Sequence, residues 1–236
     1  MNYKVADIIV DIEFNYKYGV KRMSDYRYEG DRPSDFSVRV TQQEIEESMK
    51  RCNDNFPASY HEWMCVYRSL CIKALDYDCL FMHCSAVCLD SQAYLFIAAS
   101  GTGKSTHASF WRERFGERVV MINDDKPLLR YVDGKFYVYG TPWDGKHHLS
   151  TNTRAPVKAL CILYRNDENV IERASVGEAN FMILNQTVRP ENAEKMEKTL
   201  YLAGKLLESE PCYKLGCNMS VQAAEVAYKG MNENED

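Results

Sequence analysis

The sequence predicts an α/β protein, a mixed sheet flanked by helices, with an N-terminal extension of strands and helices. Three observations predict it. Apolar runs of strand length (80–89, 92–98, 119–122, 157–164 and 212–215) alternate with stretches whose apolar residues recur at three- and four-residue steps. The run 94–98 ends in a small-residue turn and passes directly into a helical pattern, a strand–turn–helix layout. Asp133-Gly134 between the alternating runs 128–132 and 136–139 is a hairpin signal, so part of the sheet is antiparallel.

Taken in order, residues 5–14 mix β-branched side chains with Asp7, Asp11 and Glu13 and read as one antiparallel strand. Residues 15–40 carry Tyr16, Tyr18, Tyr26 and Tyr28, punctuated by Gly19, Gly30 and Pro33, which fits short strands joined by turns. Thr41-Gln-Gln-Glu44 is a capping box that starts a helix running to about residue 51. Pro57 opens a second helix with Tyr60, Met64, Tyr67, Leu70, Cys71 and Ala74 on one side. After the apolar run 80–89, Asp90-Ser91 makes a turn into the next strand. The helix after Lys104 shows Ala108, Trp111 and Phe115 to the core and turns Arg112, Glu113 and Glu117 away, and Gly116 ends it. Residues 119–122 read as a buried strand and 170–174 as a further one. Helices follow at 177–184, 191–207 and 221–228, and the tail 232–236 reads as disordered. The reading divides the chain into an extension, residues 1–78, packed on a core, residues 79–236.

The bulk numbers narrow the function. The net charge is −5 and no basic tract breaks the even spread of charge, which speaks against nucleic acid as a partner. No apolar run approaches membrane-spanning length and no signal-peptide pattern opens the chain, so a cytoplasmic protein is expected. The nine cysteines form no C-x-x-C pair and read as buried free thiols.

The chemistry centres on Ser100-Gly101-Thr102-Gly103-Lys104-Ser105-Thr106. This is a phosphate-binding loop: glycines let backbone N–H groups approach phosphate oxygens, and the helix start adds partial positive charge. Lys104 would reach the outer phosphates and Ser105 would offer its hydroxyl to Mg²⁺. Ala98 stands where the usual pattern has its first glycine. Asp124-Asp125 follows the strand 119–122, and two adjacent carboxylates repel unless a cation neutralises them. One could hold the metal while the other takes a proton from an acceptor hydroxyl. His83, in the run before the loop strand, could touch one of them and tune it.

The order His83, strand, turn, strand, Ser-Gly-Thr-Gly-Lys-Ser, helix, strand, Asp-Asp resembles the catalytic core of HPr kinase/phosphorylase over residues 80–165. That family shares a P-loop superfamily with the ATP-type phosphoenolpyruvate carboxykinases. The resemblance implies a fold like the HPr kinase C-terminal domain and a Mg²⁺–ATP-dependent kinase. The acceptor would be a hydroxyl: a serine of a peptide or protein, or a small molecule. It assigns catalysis to Asp124 as general base, with His83 as its partner, and to Lys104; Asp125 and Ser105 would face the metal. The Ile-Asn-Asp-Asp-Lys and Gly-Thr-Pro-Trp-x-Gly-Lys segments look most like small HPr-kinase-like proteins, and oligomers occur in the family. The segment that engages the protein substrate of HPr kinase has no counterpart here. The loop 140–148 is the acceptor-site candidate, through Trp143 and Lys146, and Arg154 is a further cation for the site. A nucleotide-binding module without chemistry is the alternative. A carboxykinase is another, disfavoured by the short chain and its missing substrate residues.

Overall fold

The computed structural model describes residues 1–52 and 54–233. It opens with the strands β1 (Asn2–Val5) and β2 (Ile8–Ile12), an antiparallel pair. The single strand expected over 5–14 is therefore a hairpin. Ala6 and Asp7 turn it with positive φ and no glycine, so the sequence carries no turn signal there. Nor is 15–40 mainly strand: it folds as helix α1 (Lys17–Arg22), a 3₁₀ turn at 24–26 and the short β3 (Phe36–Val38), which pairs parallel to β2. The helices α2 (Gln42–Cys52) and α3 (Ala58–Ala74) follow. The capping box forms as read, with the Thr41 N–H donating to Glu44 at 2.7 Å and the Glu44 N–H to Thr41 Oγ1 at 3.2 Å.

The main sheet is mixed and has nine strands. Its first members are β4 (Cys79–Phe81), β5 (Ser85–Leu89), β6 (Gln92–Ile97) and β7 (Val119–Asn123). The hairpin β8 (Leu128–Val132) and β9 (Lys135–Tyr139) comes next, then the long β10 (Arg154–Arg165). β11 (Val170–Arg173) and β12 (Cys212–Cys217) complete it. The order is β4-β8-β9-β10-β6-β5-β7, with β12 on β10 and β11 on β12. The run 80–89 is thus two strands, broken at 82–84, because the His83 N–H leaves the ladder to bond Gln186 O at 2.8 Å. β7 lies at the edge of this order rather than inside it, and its Val120 is exposed.

Helices cover both faces. On one lie α4 (Lys104–Phe115) and α7 (Gln222–Asn232), which pack Ala108, Trp111, Ala224 and Ala227 against Tyr94 and Phe96. On the other lie α5 (Val176–Asn185) and α6 (Ala193–Ser209), whose Ile183, Leu202 and Leu206 meet Leu95 and Ile97. The two-residue period of β6 divides its side chains between these layers. Of the tail 232–236 expected to be disordered, Asn232 belongs to α7 and Glu233 is its C-cap; residues 234–236 lie outside the described residues. A third cluster joins the small sheet and α3 to Leu128, Tyr139 and Trp143 of the core. The cysteines are free thiols, and Cys71, Cys79, Cys84, Cys161 and Cys212 are buried. Among the described residues no helix is long and apolar enough to cross a membrane.

Candidate functional site

Strand direction gathers the site. β6 and β7 both run antiparallel to β5, which lies between them, so they point the same way. The carboxyl end of β6, where the phosphate loop begins, and the end of β7, where Asp124 and Asp125 stand, therefore meet at one edge. The start of β5 delivers His83 and Ser85 to that same edge. The result is a cleft of about 1000 Å³ lined by His83, Ser100, Gly101, Gly103, Lys104, Ser105 and Thr106. Ser109, Arg112, Asp124, Asp125, Gly145, Lys146, His147 and Leu149 complete its walls. Thr102 turns instead to a second cavity on the far side of the loop.

The loop has the form an anion needs. Gly101 and Gly103 take left-handed φ of +78° and +117°, and a Cβ on either would project into open space. Gly103 is the N-cap of α4 and supplies no side-chain cap, so the first-turn amides of the helix are open to a ligand. The Lys104 ammonium is buried and donates to Ala98 O at 2.9 Å. Burial pushes its pKa below the ordinary lysine value, against the pull of nearby acidic groups including Asp125 and Asp124. Arg165, at the end of β10, holds the loop from behind by donating to Gly101 O at 3.2 Å. Ala98, in place of the first glycine, is fully buried behind the turn, where a methyl side chain is accommodated.

The carboxylates differ in their surroundings. Asp124 is buried, and its Oδ1 accepts from Ser85 Oγ at 2.8 Å. Among the described residues nothing donates to its Oδ2, which sits by the Gly145 backbone. Asp125 is engaged on both oxygens: His83 Nε2 lies 3.1 Å from Oδ1, and Lys126 Nζ contacts Oδ2. Burial alone would raise the Asp125 pKa, but the hydrogen bond from His83 and the charge of Lys126 outweigh it and keep the carboxyl below its usual range. The sequence expectation that His83 partners Asp124 is corrected: the partner is Asp125. Asn123 causes this. Its buried Oδ1 accepts the N–H groups of Asp125 at 2.8 Å and Lys126 at 2.7 Å, forming a turn that sends the two carboxylates different ways. Its Nδ2 donates to Thr141 O at 3.0 Å, which ties the turn to the loop 140–148.

That loop is clamped from the N-terminal extension. Buried Glu62 of α3 accepts the N–H groups of Asn15 at 2.6 Å and Tyr16 at 3.1 Å, fixing the entry to α1. Arg22, at the end of α1, then pairs with Asp144 and donates to Pro142 O at 2.8 Å. Lys146 and His147 reach the cleft from this clamped loop. Trp143 does not. It is 2% exposed, stacks on Trp63 with ring centroids 4.3 Å apart and donates to Trp63 O at 3.1 Å. It is a core residue, and the expectation that it covers a substrate is corrected. Arg154 is likewise corrected: it pairs with Asp7 and donates to Tyr139 Oη at 2.9 Å, away from the cleft lining.

Ser85, Asn123 and Arg112 were not among the sequence candidates. Asn123 was legible in principle, since a buried polar residue ending an apolar strand needs a structural reason; Ser85 and Arg112 carry no local signal. Among the described residues no group of three or more His, Cys, Asp or Glu side chains could hold a metal ion. A Mg²⁺ ion bound by one or two carboxylates together with substrate phosphates needs no such cage, and Ser105, Asp124 and Asp125 in one cleft fit that kind of site.

No family model matches this chain, and no curated protein matches it. Among solved structures it is similar to the Hpr(Ser) kinase/phosphatase from Coxiella burnetii, with 11% sequence identity and a TM-score of 0.36, over 64% of this chain and 95% of that one.

Proposed function

We propose that the protein is a Mg²⁺–ATP-dependent kinase that phosphorylates a hydroxyl group. One observation carries the reading: an uncapped helix start with its buried lysine shares a cleft with two carboxylates in unlike environments. A nucleotide-binding module needs the loop, the lysine and one metal-facing carboxylate, and has no use for a second carboxylate beside them.

In this reading the amides of the loop and of the first turn of α4 take the phosphates, and Lys104 leaves Ala98 O for their oxygens. Ser105 and Asp125 would hold the metal, which would supply positive charge against the phosphates. His83 and Lys126 keep Asp125 anionic and in place; they are positioning residues. Asp124 has a free Oδ2, and its Oδ1 already takes a hydroxyl hydrogen bond from Ser85, so it suits the acceptor hydroxyl. The acceptor oxygen bonds to the γ-phosphorus, the bond from that phosphorus to the β,γ-bridging oxygen breaks, and ADP departs. The acceptor proton passes to Asp124.

The test separates binding from transfer. Lys104→Ala should weaken binding of a non-hydrolysable ATP analogue by about tenfold or more. Asp124→Asn should bind the analogue normally yet transfer phosphate about 10²- to 10⁴-fold more slowly. Transfer by Asp124→Asn at the wild-type rate would show that Asp124 takes no proton. A wild-type protein that bound no ATP analogue would remove the kinase reading altogether.

A further inference from the structure

The cleft contains more positive charge than the phosphate loop accounts for. Ser105, Ser109 and Arg112 recur at four- and three-residue steps, so they form one stripe along α4, and all three line the cleft. Seven residues of helix put the Arg112 backbone about 10 Å along the axis from Ser105, beyond the first turn whose amides can hold a phosphate. Lys146 enters the same cleft from the loop 140–148. Among the described residues neither Arg112 nor Lys146 has an ion-pair or hydrogen-bond partner. Their neighbours behave otherwise: Arg114, two positions on in α4, pairs with Glu225, and Arg118 pairs with Asp90. Neither cleft carboxylate pairs with them: Asp125 engages Lys126 and His83, and Asp124 accepts from Ser85.

We infer that the acceptor is a small molecule that carries an anionic group, a carboxylate or a phosphate, in addition to its reacting hydroxyl, and that Arg112 and Lys146 bind this group. The inference rests on the kinase reading above and names the acceptor class for the same cleft. Cleft size and lining favour a small molecule over a peptide. About 1000 Å³ has to take the phosphates as well as the acceptor, and Leu149 is the one aliphatic side chain among the described lining residues. A peptide acceptor would call for apolar pockets along an extended groove.

The experiment uses the full chain saturated with a non-hydrolysable ATP analogue and Mg²⁺. Analogue affinity is measured first. Glycerol, glycerate, glycerol 3-phosphate and an uncharged serine peptide are then titrated in by calorimetry. At least one anionic probe should bind about tenfold or more tightly than glycerol. Which of the two binds better tells carboxylate from phosphate. Arg112→Gln and Lys146→Gln should each erase the preference, and Arg112→Lys should keep part of it, while analogue affinity stays within about twofold of wild type. Equal binding of charged and uncharged probes, including none by any, overturns the inference. So does tighter binding of the serine peptide, or a loss of analogue affinity in Arg112→Gln as large as the loss of probe affinity. Failure of the wild-type chain to bind the analogue at the first step removes the kinase reading itself and is seen before any acceptor is added.

Discussion

Lys104 is largely buried at the wall of the cleft, and that burial makes protonation cost more than in water despite the acidic groups nearby. The sign follows. Without nucleotide, the folded state gains stability as pH rises through the lowered pKa toward the ordinary lysine value. Phosphate binding needs the charged form, so affinity for an ATP analogue should decline at a lower pH than an exposed lysine would give. Calorimetric titration across the alkaline range measures this, and Lys104→Arg should shift the decline upward. His107 offers an acid-side counterpart. It is 2% exposed, its Nε2 accepts from Trp111 at 3.1 Å, and burial holds its pKa down to about 3. The unfolded chain takes up a proton near pH 6.5 and the folded chain does not. Stability therefore falls as pH drops below about 6.5, by up to about 1.4 kcal/mol per pH unit, until the folded pKa is reached. Urea melts of wild type and His107→Leu between pH 7 and 4, roughly that window, should show the slope shrink in the variant. In the sequence both residues belong to one Gly-Lys-Ser-Thr-His run; the motif told of phosphate, and only packing tells which side chain is dry.

At the scale of the element, the loop 140–148 shows what local pattern can and cannot reveal. The resemblance marked it as the acceptor-site candidate through Trp143 and Lys146, and of these Lys146 lines the cleft, with His147 beside it. Trp143 reads identically as a lid or as an anchor, because both uses need a large ring after Pro142. Long-range packing on Trp63 and Tyr67 decides. Trp143→Ala should therefore cost about 3–5 kcal/mol in chemical denaturation, with no loss of analogue affinity per folded molecule. The pairing of His83 was illegible for a related reason. Adjacent carboxylates on an extended strand point oppositely, but Asn123 ends the strand with a turn, and the turn sets which carboxylate His83 meets. Asn123→Ala would orphan two half-buried N–H groups, each worth about 1 kcal/mol. It should slow phosphate transfer more than it weakens analogue binding, as a KM-against-kcat comparison would register.

For the whole molecule, periodicity was enough to predict a helix-flanked mixed sheet, and the strand–loop–helix motif located the edge where the chemistry gathers. The neighbours of each strand were not legible, since the place of β5 between β6 and β7 depends on contacts far apart in sequence. Which residues of the extension meet the core was also hidden. Trp63, Tyr67 and Val66 share one buried cluster with Leu128, Tyr139 and Trp143, and Arg22 clamps the loop that enters the cleft. A chain beginning at residue 79 would leave that cluster open to water. It should lack a cooperative unfolding transition by circular dichroism, and adding residues 1–78 in trans would be the way to look for recovery.

The reversed course of β5 has one more consequence. Its first residues stand among the carboxylates, so its last must lie at the opposite rim of the sheet, about 14 Å away by the rise of five paired positions. There Asp90 and Ser91 turn the chain, exposed and both in left-handed conformation. Segments grafted at that turn would meet neither nucleotide nor acceptor. An epitope or a fluorescent peptide inserted between Asp90 and Ser91 would give the molecule a handle on the side where it does no work, for immobilising it while its cleft stays free.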